Sequence, residues 1–125
     1  VEGIAIPHGR HATDVKIAGP GNIVLITGVD SAVRKTATIT NVDAPFGGFK
    51  PLKFSNAAII KVAVEPMNPA DLPKMTEGLR KIAKSYPLAE TKVEESGAHV
   101  IAGTGELYMD CIMHALREMY ARVEI

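Results

Sequence analysis

Apolar residues recur at helical spacing in the second half of the chain. The first such series is Leu72, Met75, Leu79 and Ile82, and it predicts an amphipathic helix over residues 71–84. Asp71 and Asn68 are both candidate N-caps. Pro73 favours Asp71, because proline is tolerated only in the first turn of a helix.

A second helix is predicted to follow the turn at Gly103, Thr104 and Gly105 and to run to about Tyr120. Its polar positions form one narrow stripe, namely Glu106, Asp110, His114 and Arg117. Most of the remaining circumference is apolar. Such a helix is expected to be largely buried, or to face a partner as well as its own sheet.

Between and around these helices lie segments rich in β-branched residues. We predict strands over residues 57–64, 88–95 and 99–102, a tight turn at Ser96 and Gly97, and a final strand that begins at residues 123–125. The order is therefore βαββαβ. This order predicts an α+β fold of the ferredoxin-like type, a four-stranded antiparallel sheet with both helices on one face.

The first half of the chain has strand signals and no helical period. Residues 23–26 form a short apolar run, residues 34–40 alternate in polarity, and residues 15–17 give a weaker signal. Three short strands cannot close a barrel. We therefore predict the C-terminal part of a β-barrel and a Pro- and Gly-rich linker over residues 1–53, followed by the ferredoxin-like domain over residues 54–125.

Composition narrows the class of protein. The chain of 125 residues has 14 basic and 14 acidic side chains, so its formal net charge is zero. This balance argues against a general nucleic-acid binder, although not against a local basic patch. The single cysteine excludes a disulfide framework and indicates a reducing, intracellular setting. No apolar run has the roughly 18 residues of a membrane helix, so no membrane partner is predicted. The start, without Met or a signal-peptide pattern, suggests a piece of a larger protein.

Candidate anion-binding features are few. The turn before the second helix offers backbone amides to an anion, but Glu106 places a negative charge in that first turn, which favours a plain strand-to-helix turn. A basic face on the first helix is interpreted either as a solvated surface or as a phosphate-contact patch, and its members are Lys74, Arg80, Lys81 and Lys84. A nucleotide P-loop is absent from the sequence.

No catalytic, cofactor or metal site is predicted. Cys111 with His114, and His8 with His11, each offer two ligands where zinc needs three or four. We interpret Cys111 as a core residue and His114 as solvated. The central strands lack aromatic residues, so base-stacking RNA readout is excluded. The residues alone leave a structural or coupling module, a free-standing protein-interaction module or a small ferredoxin-like enzyme without an evident site.

Two long runs resemble the third domain of the elongation factor 2 family of GTPases, residues 61–75 and residues 92–107. Residues 21–24, 28–30 and 35–40 are similar to the closing strands of that family's second domain, a β-barrel. Several short motifs look more like the spliceosomal U5 small nuclear ribonucleoprotein GTPase branch than the translational one, namely residues 84–87, 91–93, 108–111 and 116–120. Ala98 departs from the Glu that both branches usually carry.

The resemblance implies a non-catalytic interdomain coupler within a parent GTPase, with GTP and Mg bound elsewhere in that parent. The implied coupling positions are Glu95, Ser96, Gly97, His99, Gly103, Thr104, Gly105 and Glu106. The implied partners are other domains of the same GTPase and a ribonucleoprotein machine, without sequence-specific nucleic-acid readout. That machine is the spliceosome in the nucleus or, as the alternative, the ribosome in the cytoplasm. A free-standing interaction module is the further alternative.

Overall fold

The structure is a computed structural model that describes residues 1–41, 43 and 47–125. The chain divides into two compact units, Val1–Arg34 and Lys35–Ile125. Part of the predicted linker, Val42, Ala44, Pro45 and Phe46, lies outside the described residues. The compact units divide after Arg34, whereas the predicted domain boundary follows residue 53. A compact unit need not coincide with a family domain, so the boundary after residue 53 stays a prediction.

The first unit is a three-stranded antiparallel sheet. Its strands are β1 (Gly3–His8), β2 (His11–Val15) and β3 (Leu25–Thr27), in the order β2-β1-β3. The prediction missed the β1–β2 hairpin and placed a strand at 15–17, where the structure ends β2 at Val15. The reason is local: this hairpin has mostly exposed side chains on β2, so no apolar alternation indicates it.

The predicted strand over residues 34–40 is wrong. These residues alternate in polarity, yet the structure gives them no strand pairing and leaves nearly all of them exposed. A strand requires a partner as well as a pattern, and this segment makes side-chain contacts instead. The Lys35 Nζ donates to the carbonyl of Ala89 at 2.8 Å, and the Phe49 amide donates to Thr38 Oγ1 at 3.2 Å.

The second unit follows the predicted α+β order up to the second helix. Its elements are β4 (Ile60–Val64), α1 (Leu72–Ser85), β5 (Glu90–Val93), β6 (His99–Gly103), α2 (Glu106–Ala115) and a π-helical turn, Leu116–Tyr120, here named the π segment. Strand β6 is central and pairs antiparallel with β4 and β5. The predicted fold class is confirmed.

The start of α1 follows the sequence closely. A 3₁₀ turn, Pro69–Asp71, precedes the helix, and the Asn68 side chain accepts a hydrogen bond from the Ala70 amide at 3.1 Å. Asp71 is the residue before α1, as predicted, but its side chain makes no capping hydrogen bond. Asn68 therefore caps the 3₁₀ turn, and Asp71 is the residue immediately before α1.

The core lies between the two helices and one face of the sheet. Its largest fully buried side chains are Met75, Ile82, Ile101, Ile112 and Leu116. They come from α1, β6, α2 and the π segment, which confirms that both helices cover the same face. Each such side chain stabilises the fold by about 1.5–3 kcal/mol through removal of its apolar surface from water.

The predicted final strand is wrong in this structure. Residues 123–125 form no strand, so the described sheet has three strands where the sequence predicted four. Arg122 has φ of +56°, which turns the chain immediately before this segment. One backbone contact remains, because the Met67 amide donates to the Glu124 carbonyl at 3.0 Å.

Less of the circumference of α2 is buried than its sequence indicated. Met109, Ile112 and Ala115 are buried, whereas Leu107 is 78% exposed and Cys111 is also exposed. The interpretation of Cys111 as a core residue is therefore wrong, because no element among the described residues covers this side of α2. Within the described part of the chain, the helices are too short or too polar to cross a membrane.

Candidate functional site

The turn that joins β5 to β6 is a tight, exposed hairpin. The Glu94 amide donates to the Ala98 carbonyl at 2.9 Å, and the Gly97 amide donates to the Glu94 carbonyl at the same distance. Gly97 has φ of +87°, a left-handed conformation that side chains with a Cβ adopt at a cost. Glu95 and Ser96 are exposed at the tip. The turn therefore presents polar groups on a fixed backbone.

An open cleft of about 600 Å³ lies between this hairpin and the beginning of α1. Ser96, Gly97 and His99 line one side of it. The other side comes from the end of β4 and the helix start and is mostly apolar, although Glu65 also lines it. Its apolar residues include Pro66, Pro69, Leu72 and Met75. The first group of predicted coupling residues thus borders a groove large enough for side chains of another domain.

The second predicted turn, between β6 and α2, is packed tightly at its first glycine. A Cβ on Gly103 would lie 2.5 Å from Met109 Sδ and 3.2 Å from Tyr108 Cδ1. Gly103 therefore lets the first turn of α2 lie against the sheet. Glu106 is exposed in that first turn, where its carboxylate complements the positive helix end. This arrangement favours the plain strand-to-helix turn over an anion cradle.

The two predicted turns are not brought together. His99 begins β6 and Gly103 ends it, so the turns lie at opposite ends of the central strand, roughly 13 Å apart at ordinary strand rise. The strand between them is buried from Val100 to Gly103 and is paired on both sides.

The basic face of α1 is partly neutralised by acids on the same helix face. The Lys74 Nζ lies 2.7 Å from Asp71 Oδ1, and Arg80 Nη1 lies 3.7 Å from Glu77 Oε2. Lys81 is exposed, while Lys84 is half-buried in the last helical turn. Two of the four cations of the predicted phosphate-contact patch are therefore engaged in ion pairs, whereas Lys81 is exposed and has no acidic partner among the residues that the structure describes.

The histidine pairs do not assemble a metal site. His8 and His11 pair across the β1–β2 turn, and Cys111 and His114 are exposed on α2. Within residues 1–41, 43 and 47–125, no cluster of three or more His, Cys, Asp or Glu side chains could hold a metal ion.

In the sequence, Tyr108 stands out only as part of the short motif over residues 108–111. Its ring meets Tyr86 edge to face, with centroids 5.8 Å apart. Its hydroxyl is buried and has no hydrogen-bond partner among the residues that the structure describes. Burial raises the pKa of this phenol above 10.0. The backbone amide of Leu88 lies near the oxygen without reaching hydrogen-bond geometry and offsets part of the increase.

Tyr108 also stands close to the contact that Lys35 makes with Ala89, since the Ala89 amide is another group that lowers its pKa. A half-buried cluster is therefore formed by Lys35, residues 86–89 and Tyr108. Sequence spacing could not reveal this cluster, because its members are up to 73 positions apart (108 − 35).

Residues 56–125 match the protein family described as Elongation Factor G, domain III. The 110 kDa U5 small nuclear ribonucleoprotein component CLO of Arabidopsis thaliana is 55% identical over 122 residues, which cover 96% of this chain and 12% of that protein. Pre-mRNA-splicing factor cwf10 of Schizosaccharomyces pombe is 50% identical over 98% of this chain and 13% of its own length. Pre-mRNA-splicing factor SNU114 of Saccharomyces cerevisiae is 45% identical over 100% of this chain and 13% of its own. The chain spans about an eighth of the length of the relatives it matches.

Proposed function

Because the chain belongs to the elongation factor G domain III family, we propose that it is a non-catalytic coupling segment of a larger elongation-factor-2-like GTPase that acts in pre-mRNA splicing. The observation that carries the proposal is identity of 45–55% along almost the whole chain to proteins named as U5 ribonucleoprotein components and splicing factors. The translational alternative is not favoured by these relatives.

The geometry supports coupling rather than catalysis. The second unit has one buried core under a three-stranded sheet, with a turn at each end of the central strand. The first turn is exposed at Glu95 and Ser96, whereas the second is half-buried at Thr104 and Gly105 and exposed at Glu106. We propose that the hairpin with Glu95, Ser96, Gly97 and His99 contacts one neighbouring domain, and that the turn with Gly103, Thr104, Gly105 and Glu106 contacts another. The stiff strand β6 would then pass a movement from one contact to the other.

Nucleotide chemistry is assigned to the rest of the proposed GTPase. GTP and Mg would bind in its nucleotide domain, and this chain would respond to that domain's state. The sequence offers no P-loop to hold the phosphates. We also propose that the protein acts in the nucleus, with the other domains of the GTPase and a ribonucleoprotein as its partners. The names of the relatives, U5 small nuclear ribonucleoprotein components and pre-mRNA-splicing factors, support this proposal.

The first experiment asks which RNA accompanies the full-length protein that carries this chain. An epitope-tagged version is captured from cell extract, and the co-purified RNA is quantified. We expect enrichment of U5 RNA over ribosomal RNA. Enrichment of ribosomal RNA without U5 RNA would support the translational alternative, and recovery of neither would support a free-standing interaction module.

A second measurement addresses catalysis. Calorimetric titration of the 125-residue chain with GTP and Mg²⁺ is expected to give no saturable heat, whereas the same titration of the full-length protein gives a binding isotherm. Saturable GTP binding by the chain alone would contradict the non-catalytic assignment.

A further inference from the structure

The β1–β2 hairpin of the first unit ends in a tip of four residues, His8, Gly9, Arg10 and His11. The strands pair as far as His8 and His11, which leaves a loop of two residues. Gly9 has φ of +59°, whereas Arg10 lies outside the positive region. A glycine with positive φ at the first loop position only is typical of a tight type II′ turn. The tip is therefore a short turn on a defined backbone.

The tip presents several hydrogen-bond donors to solvent. All four residues are exposed. His8 and His11 are directly opposite each other, so their side chains lie on the same face with Cβ atoms about 4.5–5.5 Å apart. In the described part of the chain, the Arg10 guanidinium has no acidic partner, and the amides of Gly9 and Arg10 have no acceptor. A Cβ on Gly9 would meet no atom within 4 Å, so a ligand has open access.

The tip also lies in a stretch without acidic residues. Residues 3–13 contain no Asp or Glu. The next acid along β2 is Asp14, which is opposite Ala5 and therefore points to the other face of the hairpin. On the face of the two histidines, the next pair is Ile6 and Thr13, and neither side chain ionises. Nothing within the hairpin neutralises the charge of the tip.

This set of groups suits a phosphate. A guanidinium donates through a planar fork that matches phosphate oxygens. A neutral imidazole donates from one nitrogen, a protonated one donates from both, and imidazoles gain their charge between about pH 5 and 8. Two protonated imidazoles side by side repel each other, and an anion beside them offsets that repulsion. Anion binding at the tip should therefore strengthen as the pH falls.

We propose that the His8–His11 tip contacts the phosphate backbone of an RNA strand. Arg10 contributes a pH-independent contact, and the two histidines contribute contacts that require a proton. Contacts to phosphate carry no sequence information directly. The choice of RNA over an acidic protein segment rests on the proposed function, in which the chain acts within a ribonucleoprotein. The tip belongs to the first unit and is thus a different surface from the basic face of α1.

The first experiment measures filter binding of the full-length protein to a single-stranded oligouridylate at several salt concentrations, at about pH 6 and about pH 8. Arg10→Ala is expected to reduce the slope of log affinity against log salt by about one unit at both pH values. Arg10→Lys should keep most of the slope, because the charge stays. A slope in Arg10→Ala equal to that of the parent protein at both pH values would overturn the proposal.

The histidines are tested by a double variant, His8→Gln with His11→Gln. It is expected to reduce the slope by about one to two units at pH 6 and by little at pH 8, because only protonated imidazoles release counterions. All other histidines are the same in the variant and the parent, so the difference between them reports the tip. An equal pH dependence in both proteins would contradict the role given to the pair.

Lys16→Ala is the matched control, since Lys16 is an exposed cation one residue beyond β2 in the same unit. It should reduce the slope less than Arg10→Ala does. Equal reductions would show that RNA senses the general charge of the unit, and the tip contact would then be refuted. Thermal unfolding midpoints of all variants should match the parent, because the replaced side chains are exposed.

A crosslinking experiment separates RNA from an acidic protein as the partner. Ala12, which is exposed beside the tip, is replaced by a photo-crosslinking residue in the epitope-tagged full-length protein, and the cell extract is irradiated. Nuclease-sensitive adducts are expected, and adducts with protein alone would overturn the proposal. The oligouridylate titration does not depend on splicing. Loss of slope in Arg10→Ala without co-purification of U5 RNA would therefore refute the proposed function and leave the RNA contact intact.

Discussion

At the scale of single residues, Tyr108 shows how a motif position acquires a physical role. It lies two positions after the start of α2, and its ring packs on Tyr86. Its buried hydroxyl has no hydrogen-bond partner in the described part of the chain. An unpaired buried hydroxyl costs about 1–3 kcal/mol. The side chain therefore contributes through its ring, and its oxygen is a cost to stability.

We predict that Tyr108→Phe leaves the free energy of unfolding unchanged or raises it by about 1 kcal/mol, because the ring stays and the unpaired oxygen goes. Urea unfolding at pH 7 measures the effect. Tyr120→Phe is the matched control, since it removes a hydroxyl that donates to Ser85. It is expected to lower the free energy of unfolding by about 0.5–1 kcal/mol. A larger loss in Tyr108→Phe than in the control would contradict this account.

The same residue predicts a pH dependence. Burial raises the pKa of the Tyr108 phenol in the folded chain above 10.0. Below about pH 10 the phenol is neutral in both the folded and the unfolded chain, so its ionisation does not yet lower the free energy of unfolding. Above that pH the unfolded chain ionises first, and stability falls as pH rises through the folded-state pKa. Tyr108→Phe should show a shallower alkaline decline, measured by urea midpoints between about pH 9 and 11.

At the scale of elements, the two predicted coupling turns differ in what their glycines do. Gly97 needs its left-handed φ of +87° and has open space around its Cα. Gly105 precedes α2 in an extended conformation, with φ of −178°, and also has open space. Gly103 needs room beside Met109. Three glycines that share a motif in sequence are thus under three different constraints.

We predict that Gly97→Ala lowers the free energy of unfolding by about 1 kcal/mol, because alanine is strained at that φ. Gly105→Ala is expected to change it by less than about 0.5 kcal/mol in either direction, since any residue adopts an extended backbone. Urea unfolding compares the two variants. Gly97→Asn should recover part of the loss, because Asn tolerates the left-handed region. Equal losses at positions 97 and 105 would refute the assignment of separate roles.

At the scale of the whole molecule, zero net charge coexists with a basic face on α1. Lys74 pairs with Asp71, which immediately precedes α1, and Arg80 pairs with Glu77 on the helix. Such exposed ion pairs typically contribute little to stability. Lys81 has no acidic partner among the residues that the structure describes. A phosphate contact, if this face makes one, should therefore depend most on Lys81.

We predict that Lys81→Ala in the full-length protein reduces the salt dependence of binding to U5 RNA by about one unit of slope, the value for one phosphate contact. Filter binding at several salt concentrations measures the slope. Lys74→Ala is the control and should reduce the slope less, because its ammonium is engaged by Asp71. Equal slopes for Lys81→Ala and the parent protein would assign this face to plain solvation.

The sequence predicted much of the second unit because its signals are local. The apolar period placed α1 within one residue at each end, and the turn residues placed the hairpin at Gly97. The predicted strand at 34–40 is wrong because alternating polarity indicates only that a segment has one apolar and one polar face. It does not provide a partner strand for pairing. The final strand was wrong for the same reason, with Arg122 turning the chain just before it.

By itself, the sequence determined the order β4, α1, β5, β6 and α2 in the second unit and the face that α1 buries, because these depend on side-chain periodicity and turn chemistry within a few residues. The family was indicated by the resemblance of residues 61–75 and 92–107, which the family match confirms. Tertiary structure alone decided that Cys111 is exposed, that the two coupling turns stand at opposite ends of β6, and that Gly78 makes room for the π segment. Each of these depends on which distant residue arrives at a given surface, and packing between elements settles that.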